Sequence, residues 1–133
     1  MAKSRPQSRK AAATLDAART LGARRVIAVF QPHLYSRTQR LAGAFGAALA
    51  RADVIAVLDV YPARERAEDF PGVSGLTIAE TAVDAARGKT VMWLPDFAGA
   101  ERVLGHTLGQ GDLVLVLGAG NVDELGRRLV AGS

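Results

Sequence analysis

"RVIAVFQPHLYSRT", residues 25–38, decides how this chain folds. Residues 25–30 are an almost unbroken apolar run containing Val26, Ile27 and Val29, as expected for a strand covered on both faces of a sheet. The run stops at Pro32. Beyond it come His33, Tyr35, Ser36, Arg37 and Thr38, a density of hydrogen-bonding and cationic groups that a turn does not need. The period then changes: Leu41, Phe45 and Leu49 recur four apart, which predicts a helix. Strand, polar loop and helix in that order form the first half of a βαβ unit.

The same alternation extends in both directions. Residues 11–21 are alanine-rich and predict a helix stopped by Gly22. "DVIAVLDV", residues 53–60, reads as a second strand, followed by a polar loop over 61–75 that carries two prolines and two glycines. Residues 76–88 repeat the helical pattern, and "KTVMWLP", residues 89–95, is a third strand. "DFAGAERVLGHTL", residues 96–108, is a helix with Asp96 as its N-cap. "DLVLVLGAG", residues 112–120, is the strongest strand, and "NVDELGRRLV", residues 121–130, a final helix capped by Asn121. Apolar strands alternating with amphipathic helices predict a single α/β domain: a mostly parallel sheet with helices on both faces.

Composition narrows the functional classes. The chain of 133 residues is 49% hydrophobic, enough for one domain with a core of its own. It has no cysteine, which excludes disulfides and thiolate metal sites, and its two histidines are far apart, so no dedicated metal site is expected. No apolar run approaches the ~18 residues of a membrane helix, and the start lacks a signal-peptide core, so a cytoplasmic location without membrane contact is expected. The net charge of +4 comes from Lys3, Arg5, Arg9 and Lys10; without them 13 Lys/Arg balance 13 Asp/Glu. Residues 1–10 are therefore read as a solvated, disordered basic arm before a domain over 11–133, with no nucleic-acid partner expected.

In open α/β sheets ligands gather at the carboxyl ends of the strands. Three loops there carry chemistry: residues 31–38, 59–75 and 118–121. In the first, Arg37 offers a planar fork suited to a carboxylate, beside His33 and Tyr35; the competing reading is a helix opening at Arg37 and Thr38, capped by Ser36 or Thr38. The second offers Asp59 and Tyr61 at the end of the second strand, and "PGVSG", residues 71–75, with Ser74 as a helix cap. Its charged middle, "ARERAED", residues 63–69, reads as solvated surface. The third, "GAGN", would expose backbone N–H groups at a helix start. Asp123 stands where a dinucleotide fingerprint has its third glycine, and with Glu124 it would repel phosphate, which favours a structural or substrate-edge role. No GxxxxGK[ST] motif occurs. His106 falls on the helix after the third strand, away from these loops, and reads as a surface or packing residue.

"AVFQPHLYSRT", "ADVIAVLDVYPARE", "PGVSG" and "GDLVLVLGAGNVDELG" occur in this order across residues 28–126. Together they closely resemble the carboxyl-terminal domain of the Mur ligase family, specifically its UDP-N-acetylmuramate–L-alanine ligases, over residues 12–130. The resemblance implies a Rossmann-like module that brings the amino acid and closes over a central ATPase domain in peptidoglycan synthesis. There ATP, with Mg²⁺, phosphorylates the muramate carboxylate and the amine of L-alanine attacks the acyl phosphate. It implies Arg37 as partner of the alanine carboxylate, His33 and Tyr35 in the same pocket, and Asp59, Tyr61, Ser74 and Asn121 along the interdomain cleft. Leu34 stands where the family usually has an arginine, and "RPQSRKAAA", residues 5–13, where it usually reads "DDYAHHPTE". The resemblance covers roughly the last third of such an enzyme, so the given sequence is expected to lack the UDP-binding and P-loop domains. The chain is thus expected to be inactive alone. The alternative is a free-standing, non-catalytic Rossmann-like binding or docking module.

Overall fold

The computed structural model describes residues 7–118 and 122–131. Among these residues, five α-helices and four strands follow one another in the expected alternation: α1 (Gln7–Ala18), β1 (Arg25–Gln31), α2 (Tyr35–Leu49), β2 (Val54–Val57), α3 (Gly75–Ala86), β3 (Thr90–Trp93), α4 (Phe97–Thr107), β4 (Asp112–Gly118) and α5 (Val122–Ala131). All strand pairs are parallel and the sheet order is β3-β2-β1-β4. The chain thus builds outward from β1 through β2 to β3, then returns across the sheet to lay β4 on the other side of β1.

The alternation of side chains along β1 divides the core in two. Val26, Ala28 and Phe30 meet Leu15 of α1, Phe45 and Leu49 of α2, and Ile78 and Ala82 of α3. Ile27 and Val29 turn to the other face, where Ala100 and Leu104 of α4 and Val122, Leu125 and Leu129 of α5 cover them. Both faces are sheathed, which is why β1 and β2 read as continuous apolar runs rather than alternating ones. Abundant alanine lets helices lie close. At Gly46 a β-carbon would overlap Thr81 of α3, whose hydroxyl donates to the Ala42 carbonyl at 2.8 Å.

Two boundaries differ from the sequence reading. Helix α1 begins at Gln7, so Arg9 and Lys10 belong to it and not to a disordered arm; residues 1–6 lie outside the described residues. The cause is packing: Ser8, Ala11, Leu15 and Ala18 form one buried stripe at helical spacing, which carries the helix back past Ala11. Strand β2 ends at Val57, short of the expected residue 60, although the Leu58 N–H still donates to the Phe30 carbonyl at 2.8 Å. The proposed helix cap at Asn121 falls outside the described residues.

At the amino edge of the sheet, Arg25 grips Asp112 in a two-point ion pair, Nε to Oδ1 at 3.0 Å and Nη2 to Oδ2 at 2.6 Å. Asp112 also accepts from the Gly109 N–H at 2.7 Å. These bonds, above all the one from Arg25, hold the Asp112 carboxyl down at about 2. The pair staples β1 to β4 at the edge away from the polar loops.

Candidate functional site

The strand order reverses between β1 and β4, and the crevice beyond the carboxyl ends of those strands is where an open α/β sheet offers a ligand site. A cavity of about 200 Å³ lies there. Phe30, Phe45, Ala11 and Leu117 give it apolar walls, while Lys10, His33 and Arg37 are its charged or titratable lining residues. No acid lines it. The Arg37 guanidinium and the His33 ring, four residues apart in the chain, approach each other with Nη1 to Nδ1 at 3.5 Å. Gly118 closes the cavity at φ +115°, where a β-carbon would overlap the Gln31 carbonyl oxygen. Close contact between two strand ends requires glycine here.

The loop that carries His33 is fixed by its neighbour. His33 forms a parallel bridge with Tyr61, the Leu34 N–H donates to the Tyr61 carbonyl at 2.9 Å, and the Tyr61 N–H to the Pro32 carbonyl at 2.8 Å. Leu34 takes φ +70° and ψ 135°, a conformation costly for a side chain with a β-carbon. It buys a sharp turn whose carbonyl accepts from both the Thr38 N–H, at 3.0 Å, and the Thr38 hydroxyl, at 2.7 Å. Neither Ser36 nor Thr38 caps α2 in the expected way.

The cap comes from far along the chain. Glu65, in the stretch read as solvated surface, accepts from the Ser36 N–H at 2.9 Å and from the Ser36 hydroxyl, and those bonds hold its carboxyl below the usual range. Sequence reasoning missed it because a carboxylate in a charged run gives no local sign of its partner. The one available signal is negative: α2 has no acid in its first turn.

The other expected residues are placed as follows. Tyr35 does not line the cavity; its ring stacks on Phe70 at 6.0 Å, and burial, followed by the charge of Asp59, raises its phenol above the ordinary value. Asp59 Oδ1 accepts from the N–H groups of Val60, at 2.9 Å, and Gly75, at 3.1 Å, and so ties the end of β2 to the start of α3. Ser74 caps α3 through the Leu76 N–H at 3.1 Å, in a reciprocal box with Thr77. Tyr61 is 40% exposed and borders, with Asp59, a second cleft of about 260 Å³. Asn121 lies outside the described residues. The structure therefore brings His33 and Arg37 together, adds Lys10, and gives Asp59 and Ser74 capping bonds.

Comparison with known proteins defines the class of this parallel α/β domain with its switch-point cavity and polar loops at one edge. The profile of the Mur ligase, glutamate ligase domain matches residues 7–120, and the chain belongs to that family. Its relatives are more particular. It is 48% identical over 107 residues to a UDP-N-acetylmuramate–L-alanine ligase of Chlorobaculum parvum, covering 80% of this chain and 22% of that protein. It is 48% identical over 123 residues to the ligase of that name from Mycolicibacterium vanbaalenii, covering 90% of this chain and 24% of the relative. The ligase of Mycobacterium ulcerans is 44% identical over the same length. The matches fall in the carboxyl-terminal part of these proteins, and the chain spans about a quarter of their length rather than a third.

Proposed function

We propose that the chain serves as the amino-acid-binding domain of a cytoplasmic UDP-N-acetylmuramate–L-alanine ligase, receiving L-alanine in the β1–β4 cavity. The observation that carries this reading is the cavity's composition among the described residues: two cations and a histidine, no acid, apolar walls, and room for a small molecule. A carboxylate is the group such a lining favours, with Arg37 as its forked partner, and a methyl side chain suits Phe30, Phe45 and Leu117. Tyr61, and Asp59 through its remaining oxygen, would border the cleft towards the rest of the enzyme.

The residues present do not fit the ligase's other cofactor requirements. The sequence has no GxxxxGK[ST] loop for a triphosphate, and no group of three His, Asp or Glu able to hold a metal occurs among the described residues. ATP, Mg²⁺ and UDP-N-acetylmuramate would be held by the parts of the longer relatives that this chain does not match, and ligation is assigned to the assembled enzyme, not to this domain alone.

The test has two arms. Titrating the chain with L-alanine, followed by NMR, should shift resonances of residues 31–38 and 117–118, whereas ethylamine, lacking the carboxylate, should not. In a complete enzyme carrying this domain, Arg37→Ala should raise the KM for alanine about tenfold or more, from the loss of a charged hydrogen bond worth about 1.5–3 kcal/mol. An unchanged KM and turnover would remove Arg37 from the site. ATP-dependent amide synthesis by the chain alone would overturn its reading as a non-catalytic part.

A further inference from the structure

Among the described residues, three that are not glycine take a positive φ: Leu34, Ala63 and Arg87. Arg87 ends α3 in the ordinary left-handed way. Leu34 and Ala63 lie in the loops that leave β1 and β2, and each stands two positions before one end of the same contact, Leu34 before Ser36 and Ala63 before Glu65. At φ +54° Ala63 turns the chain so that the Glu65 N–H donates to the Pro62 carbonyl at 2.9 Å. Glu65 is the one residue of 63–69 that is not exposed. Its carboxylate accepts from the Ser36 N–H at 2.9 Å and from the Ser36 hydroxyl. Strained backbone of this kind persists only where surrounding contacts fix it, and it gathers at functional sites. Here two strained turns converge on one pair of hydrogen bonds.

We propose that Glu65 is a positioning residue for the β1–β4 cavity: acting through Ser36, it aims Arg37 into that cavity. Its use in amino-acid recognition rests on the reading of the cavity as the alanine site. Arg37 is held from both sides along the chain. Ser36, before it, is fixed by Glu65. Thr38, after it, returns two bonds to the Leu34 carbonyl, from its N–H at 3.0 Å and its hydroxyl at 2.7 Å. A backbone fixed at 36 and 38 sets the direction in which the Arg37 side chain leaves α2. The guanidinium then comes within 3.5 Å of His33 Nδ1 in the cavity lining. Charge acts in the same sense. The first turn of α2 has no acid, and Arg37 places a cation where the helix dipole is already positive. Glu65 brings the missing anion from 29 residues away. Without it the Leu34 turn is free to relax, and the arginine fork loses the fixed geometry that a carboxylate partner requires.

In a complete enzyme carrying this domain, Glu65→Ala should raise the KM for L-alanine about fivefold or more while kcat stays within about twofold, since binding geometry is lost and no reacting group is. Glu65→Gln keeps both contacts, its amide oxygen accepting from the Ser36 N–H and its amide nitrogen donating to the Ser36 hydroxyl, and should restore most of the affinity. Asp96→Ala removes the cap of α4, a bond of 2.6 Å from the Gly99 N–H, and controls for general destabilisation; it should leave KM unchanged. An unchanged KM in Glu65→Ala, a loss confined to kcat, or an equal rise in Asp96→Ala overturns the proposal. Should Glu65→Ala not fold, Ser36→Ala, which removes the hydroxyl contact alone, should still raise KM, and no rise overturns it. Arg37→Ala separates this proposal from the reading beneath it: an unchanged KM there removes the alanine site. Positioning is then decided by NMR of the 133-residue chain. The Arg37–His33 side-chain contact should be present in the unaltered chain and lost in the Glu65 variant, and its survival overturns the proposal.

Discussion

Glu65 caps the helix that begins at Tyr35: one carboxylate oxygen accepts from the Ser36 N–H at 2.9 Å and the other from the Ser36 hydroxyl. The loop after β2 is thereby strapped over the loop after β1, reinforced by the Tyr35–Phe70 stack and the His33–Tyr61 bridge. The orientation of Arg37, two residues into α2, therefore depends on a residue 29 positions beyond Ser36. Glu65→Ala should lower the melting temperature and speed proteolysis within residues 61–75. Equal melting and equal proteolysis would show that the cap contributes nothing.

Leu34 is the strained point of the same loop, at φ +70°. Glycine adopts that conformation without the steric penalty, so Leu34→Gly should raise stability by about 1 kcal/mol. Elsewhere a leucine-to-glycine change would lower it. Denaturant titration measures the sign, and a clear loss would mean that the Leu34 side chain contributes more by its contacts than its backbone costs.

Acid should weaken the fold through Asp112. Its carboxyl titrates at about 2 in the folded chain, below its ordinary value of 3.8. A depressed carboxylate pKa stabilises the folded state above the unfolded value, and that contribution disappears as pH falls through the folded one. Stability from this group should be flat above about pH 5 and decline between about pH 4 and 2. Glu65, also shifted downward, acts in the same direction. Asp112→Asn should flatten the slope in that window while lowering stability at neutral pH; an unchanged slope would show that the Arg25 pair is not formed in solution.

Gly118 combines φ +115° with contact against the Gln31 backbone. Gly118→Ala should destabilise by more than about 1 kcal/mol, since neither strain nor overlap can be relieved without parting β1 from β4. It should also weaken the alanine binding proposed for the adjacent cavity. A variant with normal stability would indicate that the strand ends separate easily.

How much of this was legible in advance follows from the range of each interaction. Ser74 and Asp96 were readable as caps because their partners are two and three residues away, the Leu76 and Gly99 N–H groups. Gln7 to Lys10 were misread because charge suggested solvent, whereas the helix there is decided by the buried side of Ser8 and Ala11. Glu65 was misread for the same reason. Tyr35 and Arg37 stand two apart in sequence, yet one stacks on Phe70 and the other lines the cavity, a division set by the pitch of α2.

The sequence by itself determined the alternation of elements, the parallel and doubly covered sheet, and the gathering of polar loops at one edge, because these depend on local periodicity and on burial averaged along each element. Only the tertiary structure decided that β4 lies at an edge of the described sheet, that Lys10 joins His33 and Arg37, and that Glu65 caps α2. Each of those joins residues far apart in the chain. Their meeting is fixed by strand order and helix packing, which no short window of residues encodes.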